Sequence, residues 1–127
     1  MKVIIAGGRD FNDYELLKKN SNYFLGHTDT RIEIVSGGQV SINKKTGERH
    51  GADYLGERFA KENGYAVKKF PANWSKYGKS AGPIRNKEMA EYADMLIAFW
   101  DGKSKGTKNM IDLAIQYELK VYVVNFS

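Results

Sequence analysis

The stretch best suited to chemistry is the opening one, MKVIIAGGRDFN, where a short apolar run ends in Gly7, Gly8 and Arg9. Glycine lets a ligand approach the main chain closely. An arginine beside it adds a planar, always-charged fork that matches phosphate oxygens. A helix behind the run would contribute unpaired N–H groups and the positive end of its dipole. The pattern is GGRD and not the fuller G-x-G-x-x-G fingerprint, so a tight strand-to-helix turn with a surface arginine accounts for it equally well. A second glycine pair, Gly37-Gly38, follows another apolar run, IEIV. Asp53 is suited to a ribose hydroxyl, and equally to favouring the dipole in a helix's first turn. Trp74 and Trp100 offer faces for stacking a base, or packing at strand ends.

These residues need elements to position them, and the hydrophobic pattern supplies five strands and four helices. Strands are expected at residues 2–6, 32–35, 65–70, 94–100 and 120–125. Helices are expected at 13–25, with Asn12 or Asp13 as cap and Leu16, Leu17, Asn20, Tyr23 and Phe24 on one face; at about 52–63, with Leu55, Phe59 and Ala60 inward; at 84–92, with Pro83 in the first turn; and at about 107–118, with Thr107 as cap and Met110, Ile111, Ala114 and Ile115 inward. The break 26–29 and Gly64 end the first two helices. MLIAFW is continuously apolar, as befits a strand covered on both faces. Strands alternating with helices imply an α/β fold: a Rossmann-like, doubly wound, mainly parallel five-stranded sheet with helices on both faces. Residues 1–127 form one domain. Residues 39–50 stand out as a polar, aperiodic segment, either a mobile loop or a small hairpin around Thr46-Gly47.

In such sheets ligands bind beyond the carboxyl ends of the strands. The loops there hold the glycine pairs together with Arg9, Lys44, Lys45, Arg49, Lys76, Lys79, Lys103 and Lys105, while acidic residues are expected mostly on helices and the opposite edge. The formal charge of +5 agrees with an anionic partner. Any one of the lysines has a simpler account as a solvated loop residue. There is no cysteine, which excludes thiolate chemistry and is compatible with the cytoplasm. His27 and His50 are the only histidines, which argues against a histidine metal site; no metal or cofactor is expected. No stretch approaches a membrane span, and no membrane partner is expected.

The segments IIAGGRDF, IVSGG, GADYLGERFA, FPANWSKYGKSAGPIRNKEMAEYADMLIAFWDGKSKGT and MIDLA, in this order, resemble the YspA-type branch of the SLOG superfamily. That superfamily includes the lonely-guy phosphoribohydrolases and the DNA-processing protein A fold. The resemblance implies a Rossmann-like domain for a nucleotide or nucleotide-derived ligand, often in phage or bacterial-conflict settings. Arg85 and Met89 match the lonely-guy R-x-x-x-M motif, and Gly102, Gly106 and Thr107 resemble its glycine loop. The resemblance therefore implies that Arg85 holds phosphate, with Gly106 and Thr107 offering main-chain N–H groups. Asn109 and Met110 stand where the two glutamates of that loop would be. Asp112, a turn further on, is the remaining carboxylate candidate beside Arg85 for catalysis.

Three classes of function compete. The first is a sensor or sequestering protein for a nucleotide. The second is a hydrolase of nucleoside monophosphates, which would need a carboxylate at the ribosyl–base bond. The third is a nucleic-acid binder, suggested by the six basic residues between Lys68 and Lys87 with Trp74 and Tyr77 among them. Related folds are often dimers, so a homo-oligomer is a further expectation.

Overall fold

The computed structural model describes residues 1–26 and 31–126. His27 and most of the expected break at 26–29 lie outside them. The elements are β1 (Lys2–Gly7), α1 (Tyr14–Leu25), β2 (Glu33–Ser36), β3 (Ser41–Ile42), β4 (Arg49–His50), α2 (Ala52–Asn63), β5 (Ala66–Lys69), α3 (Trp74–Tyr77), a 3-10 turn (Gly78–Ser80), α4 (Ala81–Tyr92), β6 (Met95–Trp100), α5 (Lys105–Gln116) and β7 (Lys120–Asn125). The five long strands form one parallel sheet in the order β5-β2-β1-β6-β7. This is the Rossmann-like α/β architecture that the alternating pattern implies.

Side-chain alternation along the strands divides the core in two. Val3, Ile5, Met95, Ile97 and Phe99 face α1 and α2, meeting Leu17, Leu25, Leu55 and Phe59. Ile4, Ala6, Leu96 and Ala98 face α4 and α5, meeting Met89, Ala90, Met110, Ile111 and Ala114. Met95 to Phe99 is buried along its whole length, which is why MLIAFW carries no polar residue. A fully buried side chain such as Phe59 contributes about 2–3 kcal/mol relative to exposure. The edge strand β5 is exposed throughout and carries Lys68 and Lys69, charges that discourage pairing with another sheet.

Of the two alternatives for residues 39–50, the hairpin is the one present, with β3 antiparallel to β4. Its turn is closed by Asn43 Oδ1, which accepts from the N–H groups of Lys45 and Thr46. The connection 71–83 contains α3, capped by the Asn73 side chain. α5 starts at Lys105 because Asp101 Oδ1 gathers the N–H groups of Lys103 and Ser104, and Ser104 is then the cap in place of Thr107. Ile115 and Tyr23 point outward, 61% and 71% exposed.

Candidate functional site

The chain runs β1-β2-β5 to one side of the sheet and then crosses to β6-β7 on the other. β1 and β6 therefore flank the switch point, where loops leaving in opposite directions open a crevice. A cleft of about 730 Å³ lies there. Its lining includes Gly7, Gly8, Arg9, Asp53, Trp74, Arg85, Gly106 and Thr107, residues drawn from five separate segments.

The two glycines of β1 have different roles. A Cβ on Gly7 would lie 2.6 Å from the Phe99 carbonyl oxygen and 2.7 Å from the Ala52 Cβ. Gly7 thus lets α2 pack close to the sheet. A Cβ on Gly8 would meet nothing nearer than 4.0 Å, so Gly8 leaves main chain open to the cleft. The helix expected to follow as an anion site is set back: the chain turns through Phe11 N–H to Gly8 C=O, and α1 begins only at Tyr14, capped by Asp13. α2 and α5 bring their N-terminal turns to the cleft instead, through Ala52 and Asp53 and through Lys105 and Gly106. Of these, the Ala52 N–H is taken by the Gly8 carbonyl.

Arg85 is buried in the first half of α4, 9% exposed, and lines the cleft. Its Nη1 donates to the Gly37 carbonyl at 2.7 Å and its Nε to Asn86 Oδ1 at 3.0 Å. Asn86 Nδ2 donates in turn to the Gly106 carbonyl and to Asn109 Oδ1. Burial, and then the charge of Arg9, favour the neutral form of Arg85, while Asp53 opposes them. The ion pairs among the described residues are Arg58–Glu62, Lys69–Glu57 and Lys108–Asp112, and neither cleft arginine takes part. Asp53 accepts the Gln39 N–H at 3.1 Å. Desolvation pushes its carboxyl from an ordinary 3.8 up to about 6, against the pull of Arg85 and of main-chain donors. The Arg9 guanidinium lies 5.6 Å from the centre of the Trp74 ring, so that ring already carries a cation.

Four expected site residues fall outside the cleft lining. The space beside Gly37 is filled by the Arg85 guanidinium and Asp53 Oδ2, so no ligand atom has room there. Gly38 has φ +72° and shapes the turn into the hairpin. Trp100 donates from Nε1 to the Ser104 carbonyl and packs on the α4–α5 core. Asp112 lies on the exposed face of α5, paired with Lys108 at 2.9 Å, and is withdrawn as a catalytic candidate. The cleft is of mixed charge: Asp10, Asp53 and Asp101 share it with Arg9, Arg85, Lys103 and Lys105. Gln39 and Asn86 join the lining beyond the expected residues, and Asn109, which the resemblance sets at the position of a glycine-loop glutamate, lines it as well. Asn86 had a signal, since it directly follows Arg85 in AGPIRN. Among the described residues no cluster of three or more His, Asp or Glu side chains forms a metal-ligand set, and no helix is long and apolar enough to cross a membrane.

No family model matches the chain, and no solved structure matches it. The Gene 61 protein of Mycobacterium phage D29 is 35% identical over 131 residues, covering 98% of this chain and 95% of that protein. At that identity over nearly the full length of both, the chain belongs to the same family as the phage D29 Gene 61 protein.

Proposed function

We propose that the cleft binds a nucleotide or nucleotide-derived phosphate ligand, and that the protein is a sensor or sequestering protein of the SLOG type working in a phage setting. The observation that carries this reading is Arg85: a buried guanidinium facing the switch-point cleft, outside every ion pair among the described residues. A buried charge outside any ion pair is costly, and the nearby Asp53 carboxylate offsets only part of what burial costs Arg85. A phosphate in the cleft would supply further negative charge, with Arg9 as a second donor and the open main chain at Gly8 and Gly106 allowing close approach. The phage origin of the Gene 61 relative supports the setting.

The test is mass spectrometry of small molecules released from the purified protein, followed by calorimetry with the compound found. Arg85→Ala should weaken its binding by about 1.5–3 kcal/mol, the range for a hydrogen bond to a charged group. Normal binding by that variant would move the phosphate elsewhere, to Arg9. One observation favours the hydrolase reading: Asp53 lines the cleft with a carboxyl that titrates near 6, a value suited to general acid–base work. Steady release of free base from a nucleoside monophosphate, lost in Asp53→Asn, would replace the binder with the enzyme.

A further inference from the structure

The polar chain running from Arg85 to α5 fixes the direction of one amide. Arginine can only donate, so Asn86 must turn Oδ1 toward the Arg85 Nε. The Asn86 Nδ2 then faces the Gly106 carbonyl at 3.3 Å, which can only accept, and Asn109 at 3.0 Å. Both Asn86 hydrogens are used, and Asn109 has to offer its oxygen. Its own NH2 is left as the free end, and Asn109 lines the cleft beside Gly106, where a Cβ would meet nothing within 4 Å. The orientation is set by the donor-only and acceptor-only groups at the two ends of the chain, with no freedom for either amide to flip.

We infer that Asn109 is a specificity-determining residue of the proposed nucleotide site: its NH2 reads an acceptor-only oxygen, of the phosphate type, held over the start of α5. Asn86 is the positioning residue that aims it. A carboxylate at position 109 would reverse the reading. It could still accept from Asn86, but it would turn a negative oxygen to the cleft and select a hydroxyl donor.

This inference rests on the nucleotide-site reading, and one calorimetric series separates the two. Wild type, Asn109→Asp, Asn109→Leu and Arg85→Ala are titrated with adenosine monophosphate, inorganic pyrophosphate and adenosine. Asn109→Asp keeps shape and bonding to Asn86, so it should fold; it should lose tenfold or more in affinity for the two phosphate probes and change adenosine by less than twofold. Asn109→Leu, which removes the donor without adding charge, should lose about fivefold on the same probes and serves if the aspartate variant is unstable. Phosphate-probe binding by both variants within twofold of wild type, with Arg85→Ala impaired, would overturn the role of Asn109 and leave the nucleotide reading standing. Failure of wild type to bind either phosphate probe would remove both.

Discussion

The glycine pairs Gly7-Gly8 and Gly37-Gly38 end neighbouring strands, and each follows an apolar run. In the folded chain they do opposite things. After β1, one glycine lets helix and sheet close up and the next leaves main chain open to the cleft. After β2, the space beside Gly37 is already taken by two functional groups, a guanidinium from α4 and a carboxylate from α2. Gly38 takes φ +72°, a region where a Cβ costs roughly 1–2 kcal/mol. Glycine at a strand end therefore reports that something comes close. Whether that is a ligand, a helix or another side chain depends on residues distant in sequence.

The contrast can be broken most forcefully at Gly7. Its neighbours there are a strand carbonyl and a helix Cβ, and neither moves without its element. Gly7→Ala should cost roughly 3 kcal/mol, the upper part of the range for overpacking. Urea denaturation measures it, and a loss below about 1 kcal/mol would mean that α2 can retreat. Gly37→Ala differs because what it meets is the end of a flexible side chain. Arg85 can swing away, giving up its 2.7 Å bond to the Gly37 carbonyl, so the stability loss should be nearer 2 kcal/mol. The displaced guanidinium should also weaken phosphate binding, which a purely structural glycine would not do.

How far the sequence carried these distinctions follows from the range of the interactions. The parallel sheet was legible because MLIAFW and the alternation of strands with helices are local patterns, and burial on both faces leaves them nowhere else to go. The cleft's place was legible for the same reason, since strand ends define it. The filling of Gly37 by Arg85 was not, because it joins residues 48 apart. Nor was the acidity of the cleft: Asp53 reads as an ordinary first-turn carboxylate until Gln39, Glu57 and Arg85 are placed around it. Thr107 is the cap the sequence suggests, and the turn held by Asp101 puts Ser104 in that place instead.

That Asp53 environment sharpens the comparison through pH. Its carboxyl keeps a proton up to about pH 6 in the folded chain and only to its ordinary 3.8 when unfolded. Between the two values the folded state binds more protons, so this group's contribution is intact below the unfolded value and is lost as pH rises through the folded one. The change should be about 1–2 kcal/mol, below the full value of the shift because Asp53 is only half-buried. Asp53→Asn cannot titrate and retains an oxygen for the Gln39 N–H. Its stability relative to wild type should therefore rise between about pH 4 and about pH 7. A difference that is flat with pH would show that Asp53 is solvated and ordinary.

The smallest effect on stability is expected at Gly8, and there it separates most cleanly from function. The nearest atom to a Gly8 Cβ is its own loop's Asp10 N at 4.0 Å, and its φ lies outside the positive region. Gly8→Val should leave the unfolding free energy within about 0.5 kcal/mol of wild type, as for an unencumbered surface site. The same branched side chain would stand in the cleft where the open main chain now is, and binding of the proposed nucleotide ligand should be abolished. Gly7→Ala should show the reverse, a large loss of stability with binding retained by whatever fraction stays folded. Unchanged affinity in Gly8→Val would take the β1 loop out of the site and leave the phosphate to Arg85 and the start of α5. The glycine pair would then be a packing device at its first residue and an empty turn at its second.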